Sequence, residues 1–304
     1  MQIIEFFKHP TNRSLNGLIF GLLAIIGFSA TLPATRLAVS AIDPALVGPG
    51  RALVAAIPSL LLLLWLKTPL PTRKQWPDIA IVSLSVVIGF PWLTSIAMQN
   101  VSGAQAGIIV SILPLFTAIA GALLLKQRPS AGFWLMSLLG SALVIIYLLW
   151  SRQGQLQRSE LILLGASVIC AMGYAVGGRL AREIGGVSVI CQALVLSMPF
   201  SLAWVIYTWA KTDINELAAV PWQAWSGFIY ISLISQWLAF MLWYRGLALG
   251  GVVRVSQIQL VQPFLTLFIS AFLLDETITA LMAVFAGAVV ISVAIGRRMH
   301  IETA

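Results

Sequence analysis

Two glutamines occupy the middle of an otherwise apolar stretch, and they are not alone on their side of it. Ser256, Gln259, Gln262, Thr266 and Ser270 follow one another at steps of three, three, four and four, the spacing of one helix face. A buried amide without a partner is costly, so this face must meet water, a ligand or another polar helix. Two chemistries fit: hydrogen bonding to a small polar solute in a cavity, or bonds between helices that hold a bundle together. Neither makes or breaks a covalent bond.

Other side chains of intermediate depth could complete such a cavity. Trp92, Thr94, Ser111, Thr117, Tyr174, Gln236, Trp237 and Trp243 all fall within apolar stretches. Aromatic rings offer a broad apolar face and can attract cations. The plainer reading of the tryptophans is an interfacial belt, which suits Trp65, Trp76, Trp150, Trp209 and Trp222 at stretch ends. From this set Trp92, Ser111, Tyr174, Gln236, Trp237, Ser256 and Gln259 are the candidate substrate contacts, together with Arg36.

Arg36 and Arg51 are cations that fall within or at the ends of apolar stretches. Each either faces a cavity, where it could attract a carboxylate, or has a structural partner; for Arg51 the candidates are Asp43 and backbone carbonyls. Acids argue by their positions: Asp43, Asp78, Glu160, Glu183, Asp213, Glu216, Asp275 and Glu276 lie in loops or at stretch ends. A carrier exchanging protons for cationic drugs needs an embedded carboxylate, so that mechanism is not expected. Coupling to a proton or another ion is left to Glu276, whose alternative is a solvated junction residue. Cys170 and Cys191 read as small packing residues, and His9 and His300 as tail residues. No metal site, cofactor or nucleophile–base pair is expected, and the chain is not read as an enzyme.

The elements carrying these residues are long and apolar. Of the 304 residues, 60% are hydrophobic and 9% charged, far below the charge of soluble domains. Ten stretches, at 15–36, 45–66, 77–97, 103–125, 131–150, 161–180, 186–209, 222–244, 251–274 and 277–296, are near the roughly 20 residues that cross hydrocarbon as helix. The fold class is therefore all-α integral membrane. The net charge of +8 does not call for nucleic acid, because the cations are dispersed by side. An inner N-terminus puts Lys67, Arg73, Lys74, Lys126, Arg128, Arg179, Arg182, Arg245 and Arg297 in the cytoplasm, against Arg152, Arg158 and Lys211 outside. Both termini are then cytoplasmic, membrane lipid surrounds the chain, and the first stretch reads as a retained span.

The halves repeat one another. Pro114-Leu115-Phe116-Thr117 matches Pro263-Phe264-Leu265-Thr266, and each is followed by an apolar run, a polar junction and another span. The junctions are Lys126-Gln127-Arg128-Pro129 and Asp275-Glu276-Thr277, one basic and one acidic. Five spans per half invert the second copy, which explains that reversal. Ten transmembrane helices as two inverted five-helix repeats, 1–155 and 156–304, are expected. Breaks are expected at Pro33, Pro58, Gly89-Phe90-Pro91, Pro114, Pro199 and Pro263, with Pro114 and Pro263 as matched hinges. The pairs Gly17/Gly21, Gly103/Gly107, Gly173/Gly177 and Gly246/Gly250 read as close helix packing, not as a dimer signature.

On these matched segments the chain resembles the drug/metabolite transporter superfamily, in its ten-helix EamA-like branch. The resemblance covers nearly the whole chain; it departs where the family often has glutamate after the fourth span and this sequence has Gln127. It implies an inner-membrane exporter of amino acids or similar amphipathic metabolites in bacteria, with a central cavity between the halves. The cavity is expected from spans one, three, four, six, eight and nine, opening to each face in turn. The alternative is a non-transporting membrane sensor or interaction subunit.

Overall fold

The structure is a computed structural model and describes residues 13–125, 128–151, 157–212, 219–251, 255–297 and 301–302. Gln127, Lys126, Arg152, Asp213, Glu216, His9 and His300 lie outside the described residues. Seven helices among the described residues are long and apolar enough to cross a membrane: α1 (Leu15–Val39), α2 (Pro44–Trp65), α3 (Trp76–Ala97), α4 (Gly103–Leu124), α6 (Arg158–Ile184), α7 (Gly186–Trp209) and α8 (Trp222–Gly250). Three further apolar helices are α5 (Ala131–Ser151), α9 (Gln262–Leu274) and α10 (Ala280–Arg297). A two-residue antiparallel pairing joins Arg128–Pro129 to Ile301–Glu302. The chain is thus all-helical in its apolar parts.

Where the helices end is decided by local chemistry. Asp43 accepts from the Ala45 N–H at 2.8 Å and Pro44 follows it, a cap and a preset φ that start α2. α6 begins earlier than hydropathy suggests because Gln157 and Glu160 form a reciprocal capping box. It stops at Gly185, whose φ of 84° is open to glycine at little cost. α8 likewise runs past the expected boundary to Gly250 and ends against Gly251 at φ 83°. α9 is short because Pro263 has no N–H to continue a regular helix backwards. A 3-10 turn, Gln257–Val261, leads into it, and the Gln262 N–H bonds the Gln259 carbonyl.

Several spans are interrupted, each for a readable reason. α1 consists of Arg13–Ser29 and Thr31–Val39. Pro33 cannot donate to the Ser29 carbonyl four residues back; the Thr266 hydroxyl donates to it instead, at 2.9 Å. Tyr230 does the same for Gly27 at 2.9 Å. α3 widens into a π-helix at Ser83–Gly89, where each carbonyl awaits the N–H five residues on. For Val86 that residue is Pro91, which has none, and the Gln236 amide donates to Val86 at 3.0 Å. α4 breaks between Val110 and Leu113. By contrast Pro58 and Pro199 sit inside the continuous helices α2 and α7.

Glycines set the closest helix crossings. A Cβ on Gly17 would lie 2.5 Å from the Gly250 nitrogen, and one on Gly246 would lie 2.9 Å from the Gly17 oxygen, so α1 and α8 meet backbone to backbone. Gly103 and Gly107 of α4 face Ser270 and Thr266 of α9. The later residue of one helix thus meets the earlier residue of the other, so the two run antiparallel. Gly173 faces Ser85 and Gly177 faces Tyr244. All four pairs work within the chain.

Candidate functional site

Two small cavities meet in the middle of the helices and share Leu32, Val110, Leu113 and Gln262 in their walls. The first lies between the two broken helices and is lined by Gly107, Ser111 and Pro114 from α4 and by Gln259, Gln262, Pro263 and Thr266 from the α9 segment. The second is lined by Phe28 and Thr31 of α1, Arg51 of α2, Phe90 of α3, Tyr174 of α6, and Ser235 and Phe240 of α8. Their volumes, about 10 Å³ and about 20 Å³, hold a water molecule each and no more. The helices leave little free volume at this site.

The polar face read from the sequence points inward as a unit. Ser256, Gln259, Thr266 and Ser270 are buried and Gln262 is half-buried. Its two ends differ in use: Thr266 and Ser270 pack on Gly107 and Gly103, whereas Gln259 and Gln262 face the cavity. Cavity lining and interhelical bonding, the two alternatives for this face, are therefore both present, one at each end. The Gln259 side-chain oxygen is buried without a hydrogen-bond partner. Pro114 and Pro263, the matched prolines, border the same cavity from opposite sides. Thr31 and Ser235 share a hydroxyl hydrogen bond of 2.8 Å beside the second cavity.

An aromatic cage closes the apolar side. Phe28 and Phe240 meet edge to face with centroids 4.9 Å apart, and Tyr174 stands 5.3 Å from Trp243 and 6.0 Å from Phe240. Trp243 is wholly buried behind it. Such rings bury large apolar area while fixing the shape of the pocket.

Of the sequence candidates, Ser111, Tyr174 and Gln259 come together here, with Pro114 and Pro263. Gln236 is buried one layer out, bonded to Val86, and its side-chain oxygen has no partner. Ser256 is buried below the 3-10 turn. Trp92, Trp237 and Arg36 are not in either cavity wall. Trp92 sits over Gly48 and stacks edge to face on Trp204 at 4.5 Å, on the α3–α7 side; Trp237 is half-buried. Arg36 donates to the Met98 carbonyl at 2.5 Å, joining the ends of α1 and α3. The residue that sequence reasoning left out of the site is Arg51, so α2 adds a wall to the six spans expected. Its signal was the charge itself, outweighed by the nearby Asp43, which is engaged in capping.

Both membrane ends of the site carry contacts between the first and second halves of the chain. Arg179 of α6 holds both oxygens of Asp78 of α3 at 2.6 Å. At the opposite ends of these helices, Glu276 accepts from the N–H groups of Gly103 at 2.7 Å and Ala104 at 2.8 Å, where the α4 dipole favours an anion. Glu160 is buried and accepts from Gln105 at 2.5 Å. Asp78, Glu160 and Glu276 are thus built into contacts, not simply solvated.

With this geometry in hand, comparison with known proteins is decisive for class. The sequence model of the EamA-like transporter family matches residues 15–151 and again 157–296. The chain belongs to the EamA-like transporter family. It is 37% identical over 291 residues to the uncharacterized transporter YdeK of Bacillus subtilis (strain 168), covering 94% of this chain and 99% of that one. It is 22% identical to a probable amino-acid metabolite efflux pump of Escherichia coli (strain K12), over 90% of this chain and 91% of that protein. One solved chain shares the fold with a TM-score of 0.65 at 17% identity, across 93% of this chain and 98% of its own. This EamA-like chain is a multi-span membrane transporter, and its family and relatives are transporters, not enzymes.

Proposed function

We propose that this EamA-like chain is a secondary carrier that exports a small metabolite, an amino acid or a similarly amphipathic compound, across the bacterial inner membrane by alternating access. The observation that carries this reading is the meeting of two proline-broken helices, α4 and α9, at a small polar cavity. Broken helices expose backbone groups to solute at the midplane, and paired ones suit carriers built from inverted repeats. Export of an amino-acid-like solute is favoured by the relative described as an efflux pump.

Two inverted five-helix repeats, 1–155 and 156–304, explain several otherwise separate features. The family matches fall on either side of residue 152–156. Spans α3 and α8 both open with a tryptophan and pass into a π-helix, at Ser83–Gly89 and Tyr230–Ala239. The antiparallel course of α4 and α9 is what inversion requires. Both termini and the basic junctions then face the cytoplasm. Rocking of one half on the other, with Pro114 and Pro263 as hinges, opens the cavity alternately. In that cycle Arg179–Asp78 is the cytoplasmic latch and Glu276 on the α4 N-terminus the outer one. Glu276 is also where a proton or another ion would act if it is the coupling partner.

The test is a screen of amino acids and toxic analogues in cells overproducing the protein, followed by efflux from preloaded cells. Selective resistance with faster efflux is expected. A protein that binds a compound in proteoliposomes without moving it would instead be a sensor. Labelling of single cysteines at Arg128→Cys and Thr277→Cys should report opposite membrane faces; the same face would end the inverted-repeat reading.

A further inference from the structure

One charge in the cavity wall has no acidic partner among the described residues. Arg51 lies seven residues beyond Pro44, roughly 10 Å along α2 at 1.5 Å per residue, and is 1% exposed. Its Nε and Nη1 have no hydrogen-bond partner. The acids that could answer it are engaged elsewhere: Asp43 with Ala45, Asp78 with Arg179, Glu160 with Gln105 and Gln157, and Glu276 with Gly103 and Ala104. A guanidinium does not shed its charge in proteins. A cation kept unpaired inside a membrane is expensive and marks a solute or ion pathway.

We propose that Arg51 anchors the carboxylate of the transported solute, so that the site selects amphipathic carboxylates over amines that lack a carboxylate. The inference rests on the transport reading above and adds the substrate class to it. Arginine gives a carboxylate charge-assisted hydrogen bonds, and the orphan Nε and Nη1, on different edges of the guanidinium, each leave one such bond to be made. Phe28, Phe90, Tyr174 and Phe240 supply an apolar wall in the same cavity. The unpartnered Gln259 oxygen, across the shared wall, can accept from an ammonium, so an α-amino acid would find a partner for each end once the two cavities open into one. Among the described residues neither cavity is lined by an acid that would hold an amine lacking a carboxylate. An arriving carboxylate also neutralises the site, which makes closure over the loaded cavity more favourable than closure over the empty one.

Four probes of nearly one shape separate the classes: L-leucine, 4-methylpentanoate, L-leucinamide and 3-methylbutylamine. Binding to the full-length protein in nanodiscs is read by thermal shift, and exchange by counterflow in proteoliposomes. The two carboxylates are expected to bind and the amide and amine not to. Arg51→Gln should weaken carboxylate binding about ten- to hundredfold, as loss of charge-assisted hydrogen bonds does, and Arg51→Lys less. Binding of neither carboxylate, preference for the amine, or unchanged carboxylate affinity in Arg51→Gln overturns the anchor. If Arg51→Gln does not fold, wild-type selectivity and Arg51→Lys decide. Arg51-dependent binding without counterflow removes the transport reading alone; counterflow of the amide or amine, unaltered by Arg51→Gln, removes the anchor alone.

Discussion

Replacing Arg51 with methionine should make the unloaded protein more stable, a result opposite to what a structural arginine would give. Two donors on a charged group, Nε and Nη1, are buried without partners, and each such orphan costs about 1–3 kcal/mol. The adjoining cavity of about 20 Å³ takes one water, which answers one donor. One orphan donor remains, so its removal is worth about 1–3 kcal/mol. Methionine is unbranched, apolar and adaptable enough to fill the slot that the arginine stem leaves. Buried charges replaced by apolar groups of similar volume give gains of this order. The assay is reversible unfolding in mixed micelles, titrated with denaturing detergent and followed by far-ultraviolet circular dichroism without added solute. A folded Arg51→Met protein that is less stable than wild type by 1 kcal/mol or more would refute the reasoning, because the guanidinium would then have native partners that hold α2 in place.

Gly17→Ala should destabilise by about 1–3 kcal/mol, since its Cβ would strike the Gly250 backbone at 2.5 Å, whereas Gly165→Ala, with nothing within 4 Å, should leave the same unfolding curve unmoved. Thr266→Val should cost about 1 kcal/mol or more by orphaning the Ser29 carbonyl; no change in the detergent midpoint would mean that this carbonyl finds another donor. Asp78→Asn should weaken the Arg179–Asp78 pair by up to about 1 kcal/mol, because the pair is partly exposed at 39% and 19%, and, as the proposed cytoplasmic latch, raise thiol labelling from that side of a cysteine placed at Ser111; the exchanged pair Asp78→Arg with Arg179→Asp should return labelling toward wild type. Glu276→Gln should raise labelling of the same cysteine from the outer side, since the charge at the α4 N-terminus is lost.

The all-helical, membrane-spanning character of the fold was legible in the sequence because lipid leaves a helix few alternatives, and long apolar stretches declare themselves. The helix interruptions were legible in part. Pro114 and Pro263 marked real breaks, yet Pro58 and Pro199 did not, because a proline's effect depends on whether a neighbour takes up the freed carbonyl. For Ser29 that neighbour is Thr266 and for Val86 it is Gln236, both distant in sequence. The same reason hid the π-helix of α3, whose freed Val86 carbonyl is met by a side chain that only the packed bundle brings near.

The site divided along the same line. A periodic face, Ser256 to Ser270, announced its direction through spacing alone. Trp92 and Arg36 had the right chemistry at plausible depth, but rotation about the helix axis decides what a lone residue faces, and a single position carries no period from which to read it. Arg51 was left with two readings for a related reason: Asp43 is eight residues away in sequence and of opposite charge, so pairing stood beside cavity lining. The carboxylate was already committed to the Ala45 N–H at the start of its own helix. A cap and an ion pair compete for one side chain, and at the start of a membrane helix the cap has the shorter reach and the smaller entropy cost. Arg51 is thereby left to face the cavity alone, the arrangement that a solute carboxylate would complete.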